Sequence, residues 1–246
     1  MQINPKSVKK HFEKSLDKYD ENAIVQKFLA EKLTQDTALL KKEFGNILEL
    51  GSGTGLLTKE VKKSLKFTSY TANDLSEKSK KYIDKILKNY TFISGNAQKI
   101  KTGKTYDLII SNAMFQWFSN LDEVLSKYKN FLNKEGILAF TTFLPDNFPE
   151  LKEITGLSLR YKSREELEEL LNKNYKILTS KTFSQTLSFN SPLELLYHMK
   201  NTGVNSLNST AWTFADVKNF CREYSKIYPQ TSLTYSSILI IAQKLN

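Results

Sequence analysis

Apolar and polar positions alternate along this chain in two different rhythms. Short apolar runs of strand length occupy residues 46–50, 68–73, 90–94, 106–111 and 136–143, and stretches with helical spacing fill residues 56–64, 76–88 and 121–132 between them. Strands alternating with helices predict an α/β fold with a parallel sheet joined by right-handed crossovers. Ahead of the first strand, residues 5–34 read as helical, with Phe12, Tyr19 and Gln26 at heptad spacing on nearly one face. After Leu144-Pro145 the alternation breaks. A helix over 163–172 opens with the capping box Ser163-x-x-Glu166, a strand follows at 175–188, two helices at 192–201 and 213–228, and a last strand at 233–242.

Ligands of such sheets bind outside the carboxyl ends of the strands. Those ends carry Gly51 to Gly55, Asp74-Leu75, Asn96-Ala97, Ser111-Asn112-Ala113 and Thr142-Phe143. The run Ile47-Leu48-Glu49-Leu50-Gly51-Ser52-Gly53-Thr54-Gly55 ends an apolar strand in glycines and opens a helix, so backbone can approach a nucleoside without a Cβ in the way. Asp74, at the end of the next strand, is placed to accept hydrogen bonds from ribose hydroxyls. The dinucleotide fingerprint wants glycine or alanine one position beyond Gly55, where this chain has Leu56. The spacing Glu-x-Gly-x-Gly-x-Gly is instead that of loops that hold S-adenosylmethionine (SAM), so SAM is expected in preference to NAD.

Composition narrows the picture. With 246 residues and 40% apolar content, one α/β domain with a small lid is expected. No segment approaches the roughly 18 consecutive apolar residues of a membrane span, and the start of the chain leads into a charged amphipathic segment, not an apolar leader. Cys221 is the only cysteine, which excludes an internal disulfide and a cysteine-built metal site and fits a reducing cytoplasm. The net charge is +10, but only Arg160, Arg164 and Arg222 offer the bidentate contacts favoured in nucleic-acid recognition. Scattered lysines suit electrostatic steering of an acidic protein partner equally well.

The segment Asn112-Ala113-Met114-Phe115-Gln116-Trp117-Phe118 is followed by Leu138-Ala139-Phe140-Thr141-Thr142-Phe143 and Asn147-Phe148-Pro149-Glu150-Leu151. Read with Phe12-x-x-Ser15-x-x-x-Tyr19-Asp20, Leu159-Arg160-Tyr161, Met199-Lys200-x-Thr202-Gly203-Val204-Asn205 and Leu233-Thr234-Tyr235, these make nearly the whole chain resemble the malonyl-acyl-carrier-protein O-methyltransferases of biotin synthesis. That resemblance implies a Rossmann-like class I SAM methyltransferase over residues 1–246, with a seven-stranded, mostly parallel sheet and an antiparallel last strand. Helices over 1–36 and an insertion at about 190–228 would form a lid.

Carried over residue by residue, the resemblance gives Glu49, Gly51, Gly53 and Gly55 to the loop around the methionine part of SAM and Asp74 to the ribose. Leu75, Asn96 and Ala97 would flank the adenine, with Asn112 also against the cofactor and Tyr19 closing over it. The family commonly has Gly-Asp at the end of the third strand where this chain has Gly95-Asn96, whose amide oxygen still accepts a hydrogen bond. Phe115, Trp117 and Phe118 would wall the acceptor site, and Arg160 would hold the acceptor carboxylate by two parallel bonds.

The implied acceptor is malonyl-acyl-carrier protein, or malonyl-CoA. Its carboxylate is ionised at pH 7, because carboxyl pKa values lie near 4, so neither a catalytic acid or base nor a metal is expected. The two histidines, His11 and His198, stand in no recognisable base constellation. A nucleic-acid methyltransferase is disfavoured, because Asn112-Ala113-Met114-Phe115 stands where amino-methylating enzymes place Asn/Asp-Pro-Pro-Tyr/Phe. Methylation of another small carboxylic acid, and SAM binding without catalysis, remain as alternatives.

Overall fold

A computed structural model describes residues 5–203 and 212–245; Val204 and Asn205 of the motif above, with part of the expected lid, lie outside the described residues. The first helical stretch is two helices, α1 (Pro5–Asn22) and α2 (Ile24–Leu40). The chain breaks at buried Ala23, whose φ of −79° and ψ of 50° leave the helical region. Past this break α2 buries Val25, Leu29 and Leu33, while α1 follows a course of its own.

The strands are β1 (Glu43–Leu50), β2 (Lys66–Asp74), β3 (Thr91–Ser94), β4 (Tyr106–Ser111), β5 (Leu132–Phe143), β6 (Tyr175–Phe189) and β7 (Thr231–Lys244). They form one sheet in the order β3-β2-β1-β4-β5-β7-β6. The pairs among β1 to β5 are parallel, and β7 runs antiparallel to both β5 and β6. The expected seven-stranded sheet with an antiparallel last strand is therefore present. Its order reverses between β1 and β4, so the switch point lies at Gly51 and Asn112.

Both faces of the sheet are covered, which explains why its central strands read as continuous apolar runs. On one face Leu48, Ile109 and Leu138 pack with Leu125 and Tyr128 of α5 (Leu121–Phe131) and Leu167 of α7 (Arg164–Asn172). On the other, Ile47, Leu108 and Ile110 pack with Leu33 of α2 and Val61 of α3 (Leu56–Ser64). Neighbours such as Ile47 and Leu48 point to opposite faces because side chains alternate along a strand. Truncating one of these to alanine should cost about 2–5 kcal/mol. The capping box at Ser163 forms as the sequence predicts.

Two elements differ from expectation. Residues 76–88 do not make one helix: a 3-10 turn at Glu77–Ser79 leads into the single turn α4 (Lys80–Ile83), and the chain then loosens. Ile83 and Ile86 pack onto the bare Cα of Gly55, so tertiary contact sets the course of the chain here. The helix α6 (Pro149–Thr155) was not predicted. It is too short to show a period, although proline opens it and Gly156, at φ 67°, closes it. After β6 come α8 (Pro192–Asn201) and α9 (Phe214–Ile227), and α8 packs on α1, the sheet and α9.

Candidate active site

A deep cleft opens at the carboxyl ends of β1 to β5 and is roofed by α1. Its floor on one side is the turn after β1. Gly51 and Gly53 hold φ of 71° and 52°, a left-handed backbone that glycine adopts without strain. Asp74 sits across from this turn, buried, and each carboxylate oxygen accepts one backbone N–H: Oδ2 from Gly53 at 2.8 Å and Oδ1 from Ser76 at 2.7 Å. Burial raises its pKa, and these two bonds work against that rise. A carboxylate has about four acceptor positions, so both oxygens keep capacity for a ligand's hydroxyl groups.

Of the residues singled out from the sequence, Tyr19, Gly51, Gly53, Asp74, Leu75, Asn96, Ala97, Asn112, Trp117 and Phe118 line this cleft. Asn112 is held by two contacts. Its amide donates to the carbonyl of Gln26 at 2.9 Å, and its oxygen accepts from the Thr141 hydroxyl at 2.6 Å.

Four expected residues do not line the cleft. Glu49 lies beneath the glycine turn, fully buried, where Oε2 accepts from the Thr58 and Tyr70 hydroxyls, each at 2.6 Å. Burial pushes its pKa up to about 7. Gly55 caps α3 with a φ of 81°, facing Ile83 and Ile86. Phe115 turns into the core and stacks on Phe140 at 4.0 Å between ring centroids. Arg160 is exposed, and its charge acts on Glu166. Its neighbours Leu159 and Tyr161 both pack into the aromatic cluster, and the Tyr161 N–H donates to the Leu159 carbonyl at 3.0 Å, a tight turn with Arg160 at its exposed tip.

Several residues beyond the expected site residues also line the cleft. Val8, Lys9 and Phe12 of α1 join Tyr19, and Gln26 of α2, the third member of the heptad-spaced face, lies with them. The rings of Phe12 and Tyr19 meet edge to face at 5.2 Å. Those three residues were already visible as one face; their common pocket was the missing step. Phe143, Thr202 and Gly203 line the far end.

That far end is backed by an aromatic cluster from distant parts of the chain. Tyr235 of β7 packs against Phe143 and Phe148, with centroids 5.9 and 4.7 Å apart. Its hydroxyl lies 2.7 Å from Nε2 of buried His198 on α8. Burial lowers the His198 pKa to about 4, so the ring is neutral at pH 7. His198 therefore serves as a neutral hydrogen-bonding group that ties α8 to the sheet. Tyr161 meets Phe143 edge to face and accepts from Asn147 Nδ2 at 3.1 Å.

Among the described residues no group of His, Cys, Asp and Glu is arranged to hold a metal ion, and no helix is long and apolar enough to cross a membrane. The cleft lies at the switch point with a buried carboxylate across from a glycine turn, and a family model for a methyltransferase domain matches residues 21–203, which gives the class. The N-methyltransferase NodS of Bradyrhizobium japonicum, solved in complex with S-adenosyl-l-homocysteine, superposes with a TM-score of 0.55 at 11% identity, over 88% of this chain and 86% of that one. At that identity the likeness concerns the fold.

Sequence similarity is closer to the malonyl-[acyl-carrier protein] O-methyltransferase of Calditerrivibrio nitroreducens, 35% identical over 96% of each chain. The protein of the same name from Bacteroides thetaiotaomicron is 33% identical over 98% of this chain and 99% of its own. The chain belongs to the malonyl-[acyl-carrier protein] O-methyltransferase family.

Proposed function

We propose that this protein methylates the free carboxylate of a malonyl group carried by acyl-carrier protein, with SAM as donor, giving the methyl ester that opens biotin (pimeloyl) synthesis in the cytoplasm. The observation that carries this is the 35% identity, over nearly the full length of both chains, to a protein named for that reaction.

Features of the cleft support SAM as its ligand. Gln26 Oε1, Ser52 Oγ and Thr54 Oγ1 are buried polar atoms with no hydrogen-bond partner, and all three residues line the cleft. Buried polar groups are nearly always paired, and a ligand with an amino-acid end brings both donors and acceptors to them. Asp74 supplies acceptors for ribose hydroxyls, and Leu75, Asn96 and Ala97 offer an apolar and amide surface for the adenine. Glu49 and Gly55 shape the glycine turn from behind. Bound SAM supplies an electrophilic methyl on a sulfonium, whose positive charge offsets an approaching carboxylate.

The remaining work is positioning and exclusion of water. Trp117, Phe118 and Phe143 wall the acceptor end, Tyr19 and Phe12 cover the cleft from α1, and α1 with the described residues of the 190–228 insertion forms the lid. An ionised carboxylate needs no general base. The lysines behind the +10 charge steer an acidic carrier protein to the cleft. Neither nucleic acid nor membrane is called for.

The test is transfer of labelled methyl from SAM to malonyl-carrier protein, malonyl-CoA, acetyl-carrier protein and RNA. Incorporation into a malonyl thioester alone is expected. Labelling of RNA, or none with either malonyl substrate, would overturn the assignment.

A further inference from the structure

We propose that Glu13 is a positioning residue that fastens α1 over the cleft and, through Ser76, braces the cofactor-facing carboxylate of Asp74. This inference rests on SAM occupying the cleft.

Glu13, Asp17 and Asp20 fall on one face of α1 by their spacing, and each reaches the body of the protein. Asp20 meets Lys59 at 3.0 Å, Asp17 meets Tyr82 at 2.7 Å and Lys81 at 3.6 Å, and Glu13 meets Lys78 at 3.1 Å. These contacts are unequal. The Asp17 side chain is 87% exposed and that of Asp20 39%, so their pairs are screened and weak. The Glu13 side chain is only 20% exposed, and its other oxygen accepts from the hydroxyl of buried Ser76 at 2.6 Å. A short bond from a buried hydroxyl to a carboxylate is among the strong hydrogen bonds of proteins.

Ser76 extends this contact into the cleft. While its hydroxyl donates to Glu13, its backbone N–H donates to Asp74 Oδ1 at 2.7 Å, and Asp74 Oδ2 receives the Gly53 N–H at 2.8 Å. A continuous chain of hydrogen bonds thus runs from the roof helix to the glycine turn. Phe12, beside Glu13, lies against both Gly53 and Gly203, so a roof loosened at Glu13 also withdraws the aromatic cover. Glu13 itself does not line the cleft and acts through Ser76 and α1.

The experiment compares Glu13→Ala, Glu13→Gln, Ser76→Ala and the Glu13→Ala/Ser76→Ala double variant in the full chain. Binding of S-adenosylhomocysteine is measured by calorimetry, steady-state constants are measured for both substrates, and amide exchange of α1 is measured without cofactor. Glu13→Ala should raise Kd for S-adenosylhomocysteine and KM for SAM about ten-fold, move KM for the malonyl acceptor less than about three-fold, and speed exchange across α1 about ten-fold. Glu13→Gln keeps an acceptor for Ser76 and should recover most of the affinity. Ser76→Ala should match Glu13→Ala, and the double variant should be no worse than either, because both cut one chain of contacts.

Unchanged affinity in a folded Glu13→Ala protein, or additive losses in the double variant, would overturn the proposal. If Glu13→Ala does not fold, Glu13→Gln and Ser76→Ala decide by the same affinities. If the parent protein binds no S-adenosylhomocysteine, the SAM assignment fails; exchange across α1 then decides the fastening of the helix separately.

Discussion

The two ends of the cleft are built by opposite means. The end proposed for the cofactor is made largely of backbone from neighbouring segments, with the glycine turn after β1 and the end of β2 joined by N–H groups converging on Asp74. The far end, the proposed acceptor end, is lined by Phe143 of β5 and Thr202 at α8 and backed by Tyr235 of β7 with His198 of α8, side chains brought from far apart in sequence. A backbone cradle admits few substitutions and suits a ligand common to many enzymes. A wall of aromatic side chains can be recut residue by residue, which is what choice of acceptor requires.

That contrast can be broken most directly at Asp74. Asp74→Ala removes the acceptor for two backbone N–H groups as well as the proposed ribose contact, and should weaken S-adenosylhomocysteine binding by about 1.5–3 kcal/mol, roughly 10- to 150-fold. Calorimetry on the folded variant showing affinity within two-fold of the parent would dissolve the distinction.

The two ends should also respond to pH in opposite senses. Glu49, behind the glycine turn, has a folded pKa of about 7 against 4.5 ordinarily. The folded state therefore binds more protons than the unfolded between those values, and this group's contribution to stability falls as pH rises from about 4.5 to 7. His198 has a folded pKa of about 4 against 6.5. Here the folded state binds fewer protons, and stability is lost as pH falls from about 6.5 to 4. Relative to the parent, Glu49→Gln should gain melting temperature from pH 5 to pH 8, a change on the order of 1–3 kcal/mol. His198→Gln should instead compare best with the parent at low pH. Parallel profiles for the two variants would refute the opposition.

At the acceptor end alone, Tyr235→Phe strands His198 Nε2 in a buried site. It should cost about 1–3 kcal/mol of stability, seen as a lowered Tm, while S-adenosylhomocysteine affinity stays within about two-fold. A large loss of that affinity would mean that the two ends are not separable. The smallest effect is expected at Arg160, exposed and outside the cleft. Arg160→Ala should change kcat/KM for the malonyl substrate by no more than about five-fold, the scale of exposed ion pairs. A thirty-fold loss would make it the carboxylate receptor that the family resemblance suggests.

The same contrast decides what the sequence disclosed. Local rules sufficed for the strands, the glycine turn, Asp74 and the capping box at Ser163, because period, glycine and capping signals act over a few residues. Residues 76–88 misled because tertiary packing of Ile83 and Ile86 on Gly55 outweighed the helical pattern. Arg160 sits at the exposed tip of a tight turn between Leu159 and Tyr161, and Phe115 stacks on Phe140, placements set by contacts that no local rule reports. Val8 and Lys9 gave no signal, since nothing local says which way α1 runs ahead of the break at Ala23.

The long ladder between β6 and β7 has its own consequence. Its terminal pair sets Phe189 opposite Thr231, so the excursion over residues 190–230 departs and returns at one point, its ends separated by a single inter-strand spacing of about 4.8 Å. A segment tethered in this way can lengthen, shorten or be exchanged without altering the span the rest of the chain must bridge. Such a segment can diversify by insertion, as a tool changes its bit, while the sheet and its glycine turn stay as they were.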